Sequence, residues 1–384
     1  MISAHLQSIL CCPQCHGTFG AHADAVEWTL VCTRCGEQYQ QRTREFVDLR
    51  PNQAFAEQTK YLDEALHADA RHETVSPPLL QAGVRQRQLR QFLRLQPGDR
   101  VIDLGCGSGR SLLWNAASGA SFVGADVSPF FAREARDRMD LALADLRRLP
   151  FPDGTFTKAY ALDVLEHLSP EALDAMLHEA ARVLAPGGAL FVYSHVRKNA
   201  RIAAGLRAIN ALARWLERRG LIDMTQERLR KSAHLNPLTD VPHLERVVAT
   251  AGFRIARIRY YTPLIGGFVE NILMRMTERA LARRAARQLE LKPQTATASA
   301  GPASQDATAP VRAARTSAKA RIARGGPLSW SLHAVTAVMQ LDMILFGRIR
   351  SGPFFALLER TEAATATPPR EKNSSPRPTK WGEG

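Results

Sequence analysis

The chain has 384 residues, 45% of them hydrophobic and 23% charged, with a formal net charge of +14. That length and composition exclude a wholly disordered or fibrous chain and leave room for one large core with additions. The charge is lopsided: residues 1–194 hold 19 Lys and Arg against 23 Asp and Glu, whereas residues 195–384 hold 32 against 14. A basic half suits an anionic partner, RNA or a membrane leaflet, and equally a set of solvated arginine-rich helices.

The first residues, MISAHLQSILCCPQC, show no basic segment followed by a long apolar run, so no signal peptide is expected and a cytoplasmic location is predicted. In that compartment the six cysteines read as metal ligands or packing residues rather than disulfides. Cys12 and Cys15 in CPQC, then Cys32 and Cys35 in CTRC, form two knuckles, each supplying two sulfurs from a tight turn. Such a set can close one tetrahedral zinc site. VEWTLVC alternates like a short strand and CGEQYQQRTREFVDL continues as a hairpin, the outline of a zinc ribbon over residues 1–50. Four thiolates leave no open coordination position, so the ion would fold the module rather than do chemistry. A redox pair is the alternative for one CxxC, and Cys11 is left over as a wrong-register ligand. On LCCPQCHGTF, LVCTRCGEQY and REFVDLRP the segment resembles the zinc-ribbon module of the small activator subunit of tRNA methyltransferases.

DRVIDLGCGSGR reads as a buried strand running into a glycine turn, with SLLWNAASGA as the following helix. The loop therefore lies at the C-terminal end of a strand, where open α/β sheets bind ligands. Gly109 follows Gly107 by two residues, not three, and no lysine stands in a GKS/T frame, so a dinucleotide fingerprint and a phosphate loop both lose ground. The next strand, SFVGADVSP, ends in Asp126, a position from which a carboxylate can accept from both hydroxyls of a ribose. In LALADLRRLPFPDGTF, Asp145 is expected to end another strand and to accept from an adenine amino group, with Leu146 against the ring. Asp103 either orients the turn or meets the ammonium of a methionine moiety.

Taken in order, VIDLGCGSGR, VGADVSP, ADLRRLPFPDGTF, KAYALDVLEHL and EAARVLAPGGALFVYS resemble the class I S-adenosylmethionine-dependent methyltransferases, especially the broad type 11 group. The resemblance spans residues 100–194. It implies an α/β, Rossmann-like sheet and a cofactor site made of Asp103, Gly105, Cys106, Gly107, Gly109, Asp126, Val127, Asp145, Leu146 and Asp163.

The methyltransferase domain is expected over residues 51–361. In RIAAGLRAINALARWLERRG, Ile202, Leu206, Ile209, Ala213 and Leu216 form one apolar stripe, ordinary core or, as the resemblance implies, a lid over residues 196–236. PLTDVPHLERVVATAGF reads as a capped helix and FRIARIRYY as the sixth strand. The resemblance implies a final antiparallel strand hairpinned to the sixth, and PFFALLE, Pro353–Glu359, is the best candidate for it, which makes residues 262–352 a helical excursion inside the last hairpin. Within it, residues 293–326 are low in complexity and expected to be disordered, as is the tail at 362–384. The flanking helices are read as a cap over the acceptor pocket or as a contact with the inner face of the membrane; His333, Gln340 and Asp342 argue against a span.

A sulfonium methyl needs an aligned acceptor and exclusion of water more than it needs a base. His167, delivered with Asp163 and Glu166 by the fourth strand, is the candidate base; the alternative is that Glu166 and His167 only support the pocket. Tyr61, His67 and His72 could close over the cofactor. The acceptor stays open between a small-molecule or lipid-linked compound and RNA, and a non-catalytic zinc-bearing scaffold is the third reading. The oligomeric state is not legible.

Overall fold

The computed structural model describes residues 2–23, 28–51, 75–197, 203–224, 234–277, 279–280, 283 and 322–361. Tyr61, His67, His72, part of the 196–236 segment, residues 293–321 and the 362–384 tail lie outside them. Helix α1 (Ala4–Ser8) starts at Ser3, whose hydroxyl accepts from the Leu6 N–H at 2.9 Å. Strands β1 (Phe19–Ala23), β2 (Trp28–Cys32) and β3 (Gln38–Gln41) form a small antiparallel sheet in that order. Strand β4 (Val47–Asp48) leaves it and pairs in parallel with β7 (Asp140–Leu143) at the edge of the large sheet. Leu6, Leu30, Tyr39 and Val47 share one apolar cluster with Ile102, Ala142 and Phe151, and the Cys11 N–H donates to the Pro150 carbonyl at 2.9 Å. The first fifty residues are thus cemented to the large sheet by a common core.

The large sheet has eight strands in the order β10-β11-β9-β8-β5-β6-β7-β4. Its other members are β5 (Arg100–Leu104), β6 (Ser121–Asp126), β8 (Phe156–Leu162), β9 (Leu184–His195), β10 (Phe253–Tyr260) and β11 (Pro353–Arg360). Strands β4 to β9 run parallel, whereas β11 is antiparallel to both β9 and β10. Val101, Ile102 and Leu104 are wholly buried, as both faces of a parallel sheet demand. From β5 the chain steps outward through β6 and β7, then returns to β8 beside β5. The crevice at the C-terminal ends of β5 and β8 is therefore the switch point at which doubly wound sheets hold ligands.

Helices α2 (Leu80–Leu93), α3 (Arg110–Asn115), α4 (Arg133–Arg138), α5 (Pro170–Val183) and α7 (Val241–Thr250) accompany the strands. The last two begin at Ser169 and Asp240, which accept from Ala172 N–H and His243 N–H. Between β9 and α7 lies α6 (Ala203–Arg218); its Ala213 and Leu216 bury against Ile222 and Ile272 in a small separate core.

The excursion between β10 and β11 holds α8 (Leu264–Phe268), continued by a π-helical turn over Val269–Met274, then α9 (Pro327–Met339) and α10 (Leu341–Phe346). Residues 322–326, inside the stretch expected to be disordered, form a helical turn and bend that lead into α9. Asp342 ties the two ends of the excursion together. It is fully buried and accepts from the Ile265 and Gly266 N–H groups at 2.9 and 2.8 Å; burial pushes its carboxyl up against their pull. Helix α9 packs on α2, where the Thr336 hydroxyl accepts from Leu80 N–H at 2.8 Å.

Candidate functional site

The glycine turn after β5 is held by its neighbour strand. Gly105 and Cys106 N–H both donate to the Ala125 carbonyl, at 2.8 and 3.1 Å, so the turn folds over the end of β6. Gly105, at φ +79, would place a Cβ 2.5 Å from Val164, and no other residue fits there. Gly107, at φ +55, has open space where its Cβ would stand, a hollow over the backbone. Cys106 is buried below the turn, its thiol pushed up by burial, and Gly109 leads into α3.

Asp126, 9% exposed, ends β6 and reaches the backbone of the turn. Its Oδ2 accepts from Gly107 N–H at 2.7 Å and its Oδ1 from Ser128 N–H at 2.8 Å. Each carboxylate oxygen has a further acceptor direction for a ligand hydroxyl. Val127 beside it is tied by its carbonyl to the Arg50 guanidinium at 3.2 Å, which carries the end of the N-terminal segment to this edge. Asp103 is 2% exposed beneath the turn; burial pushes its carboxyl well up, Tyr160 opposes and Asp126 adds to the rise. So deep a carboxyl suits orientation of the turn better than contact with an ammonium.

Two expectations are adjusted. Strand β7 ends at Leu143, so Asp145 lies in the loop beyond it, bound to Ala144, whose N–H donates to the Asp126 carbonyl. Its carboxylate is clasped by Arg147, with Nε 3.0 and 2.9 Å from the two oxygens, and Leu146 packs on the main core. An adenine amino group would share Asp145 with that guanidinium. Asp163, left-handed at φ +57, is likewise paired, with Arg85 of α2 at 2.5 Å, and the Arg85 guanidinium lies 4.8 Å from the Tyr193 ring centroid. Burial alone would lower the Arg85 pKa, but Asp163 holds the group charged.

Glu166 and His167 stand on a single 3-10 turn, Leu165–His167, ahead of α5. Glu166 is buried and its carboxyl is pushed up to about 7 by burial, with Asp163 adding to the rise. The His167 ring meets His234 edge to face at 4.6 Å, and His195 lies 5.3 Å from His234. Asp103, Gly105, Cys106, Gly107, Gly109, Asp126, Val127, Asp145, Leu146, Asp163 and His167 thus share one edge of the sheet. Arg50, Arg85, Arg147, His195 and His234 were not singled out beforehand, since no local spacing marks them.

At the other centre, Cys12 and Cys35 sulfurs are 3.7 Å apart and those of Cys15 and Cys32 3.4 Å. A regular tetrahedron with Zn–S bonds of about 2.3 Å has edges of about 3.8 Å, so the four sulfurs fit zinc. Gly17 and Arg34 N–H groups donate to Cys15 and Cys32 sulfur at 3.4 Å, as thiolate knuckles require. Cys11 is buried outside this cluster.

Residues 101–188 match the family model described as a methyltransferase domain. Methyltransferase GfsG of Streptomyces halstedii is 36% identical over 30% of this chain and 45% of its own length. A demethylmenaquinone methyltransferase of Mycolicibacterium vanbaalenii is 42% identical over 28% and 46%, and a probable tRNA methyltransferase 9B of Mus musculus 36% identical over 34% and 30%. Residues 101–188 are thus similar to a methyltransferase domain, and they lie on a Rossmann-like sheet. Its match spans less than half the length of these curated relatives.

Proposed function

We propose that the protein is an S-adenosylmethionine-dependent methyltransferase acting on a small-molecule or lipid-linked acceptor, with a structural zinc ribbon at its N-terminus. The observation that carries the reading is Asp126 at the end of β6, its carboxylate held on the Gly107 N–H of the glycine turn at the switch point of the sheet. Bound there, the cofactor supplies an electrophilic methyl group. Asp126 accepts from the ribose hydroxyls, Gly105 and Gly107 let the backbone approach, and Val127 and Leu146 flank the adenine. Asp145 accepts from its amino group while Arg147 fixes the carboxylate. Asp103 holds the turn from below, and the Asp163–Arg85 pair braces the strand end where an acceptor would enter.

The lipid-linked part rests on the outer face of α9 and α10. Trp330, Ile344 and Leu345 are 78, 73 and 59% exposed, joined by Val338 and Leu341 at helical spacing. Arg324 precedes this stripe and Arg348 and Arg350 follow it. Pro327–Phe346 is long and apolar enough to cross a membrane by length and composition. Its inner side is committed to α2 and α8 through Thr336 and Asp342, so it suits a position lying along an anionic lipid surface, with the arginines at the headgroups. Replacing Trp330, Ile344 and Leu345 by serine should abolish flotation with anionic liposomes; flotation equal to the parent protein refutes the contact.

The acceptor class is tested with methyl-labelled cofactor and a cell extract split into organic-soluble, small aqueous, protein and RNA fractions. Label in the organic-soluble or small aqueous fraction supports this reading. RNA is the second reading, favoured by the positive excess of residues 195–384, and label in RNA would replace the first. Cofactor binding with no label in any fraction would leave a non-catalytic scaffold.

A further inference from the structure

Beside the cofactor crevice, at the ends of β8 and β9, a second set of polar groups converges from three stretches of chain. Glu166 and His167 come from the turn after β8, His195 from the end of β9, and His234 from the segment before α7. One carboxylate oxygen of Glu166 and one ring nitrogen each of His167 and His234 lie within 4.8 Å of one another. The convergence is built by the backbone. The Glu166 carbonyl accepts from the Leu235 and Asn236 N–H groups at 2.8 and 2.9 Å, which fastens the strand of chain bearing His234 to the turn bearing the other two. Arg197 pins the same stretch, with its N–H on the Leu238 carbonyl at 3.0 Å and its Nε on the Asn236 carbonyl at 2.5 Å. The Ser194 hydroxyl donates to Glu166 Oε2 at 2.8 Å and orients the carboxylate, while His195 Nδ1 stands 3.9 Å from Oε1.

We infer that Glu166, His167 and His234 form a binding site for a divalent transition-metal ion of the zinc class, and that this ion holds the acceptor by an oxygen atom. Two imidazoles and one carboxylate are a donor set that suits such ions. Three protein ligands leave a coordination position open, in contrast to the closed four-thiolate set at the N-terminus. A carboxylate 2% exposed is costly to keep without a compensating charge, and the hydroxyl of Ser194 behind it is the kind of outer partner that orients metal-binding carboxylates. Ligand bonds of about 2.0–2.1 Å make tetrahedral edges of about 3.3 Å. The three atoms, now within 4.8 Å of one another, would therefore close by up to about 1.5 Å on loading.

The acceptor class follows from that open position. A coordinated hydroxyl, phenolic or aliphatic, has its proton acidified by the ion. Transfer then forms the oxygen–carbon bond as the sulfur–carbon bond breaks; the bonding pair stays on sulfur and the hydroxyl proton is released to water. This part rests on the methyltransferase reading, whereas the ion site does not.

Full-length protein is stripped of metal and titrated with Co2+. The first equivalent fills the thiolates and brings sulfur-to-cobalt charge-transfer absorption; the second is expected to add d–d bands without further charge transfer. His234→Ala should remove that second equivalent, lowering its affinity by about 100-fold or more, while Cys32→Ser removes the first. Ser194→Ala, which leaves all three ligands in place, should weaken the second equivalent by about 10–100-fold and guards against loss of fold in the ligand variant. Calorimetry with S-adenosylhomocysteine on each protein separates the two readings: cofactor binding with no second equivalent overturns the ion site alone. A second equivalent that persists with an unchanged spectrum in both His234→Ala and Ser194→Ala overturns it as well.

Discussion

Replacing Gly107 by alanine should weaken cofactor binding while leaving the protein nearly as stable as before. The position is left-handed at φ +55, a conformation that costs a residue with a Cβ about 1–2 kcal/mol. No heavy atom lies within 4 Å of where that Cβ would stand, so no clash adds to the cost. At about 2–4 °C per kcal/mol the melting temperature should fall by only a few degrees. The new methyl, however, enters the open space over the turn, where the reading places the cofactor. Overfilling a packed contact costs about 1–3 kcal/mol, or roughly 5- to 150-fold in affinity. Gly98→Ala is the matched control: φ is +89 and the space around its Cβ is equally open, but it lies in the turn before β5, at the opposite end of the strand. Calorimetry with S-adenosylhomocysteine and thermal unfolding are measured on both variants. Equal affinity in Gly107→Ala, Gly98→Ala and the parent protein would refute the placement of the cofactor over the turn.

The N-terminal sulfurs and the main core share one apolar cluster, so Cys32→Ser should release zinc and also lower the melting temperature of the whole chain; an unchanged melt after chelation would show that the sulfurs carry no ion of structural weight. The Lys158 ammonium lies 2.6 Å from Asp99 Oδ2, with both side chains less than one fifth exposed. Burial alone would raise the Asp99 carboxyl, but Lys158, Gln96 N–H and Thr157 hold it below its ordinary value. A depressed folded pKa gives stability that is present above the unfolded value near pH 4 and lost as pH falls through the folded one. Lys158→Met should therefore lower stability at pH 7 by more than the roughly 0.2–1 kcal/mol of an exposed pair, and urea unfolding should show the gap to the parent narrowing as the pH is brought down to 3. A gap that stays constant over that range would mean the pair contributes nothing through its charge.

Much of the candidate site was legible in short stretches. The glycine turn and Asp126 lie within 22 residues of one another, and each needs only a strand, a turn and the next strand to be placed. The thiolate pairs were legible for the same reason, since CxxC geometry is local. The strand Pro353–Arg360 was expected, as Pro353–Glu359, from the family resemblance, which ends the sheet with an antiparallel strand, although a long excursion separates it from β10. Partners drawn from distant segments were not. Arg85 reaches Asp163 across 78 positions, and Arg50 reaches Val127 across 77. His234 is brought to Glu166 by the Leu235 and Asn236 N–H groups on the Glu166 carbonyl, backbone bonds that no side-chain pattern reveals.

By itself the sequence determined the local conformations: where the chain must turn left-handed, where a carboxylate ends a strand, and which sulfurs can share an ion. Those depend on dihedral sterics and on periodicities of two and 3.6 residues, which a few neighbouring side chains set. Only the tertiary structure decided which apolar side of α9 and α10 is buried, with Met339 and Asp342 inward and Trp330 and Ile344 outward. It also decided that Asp163 is met by Arg85 and that His167 and His234 face one another. Strand order and the packing of the excursion on α2 set those meetings, and both are long-range outcomes of closing one core.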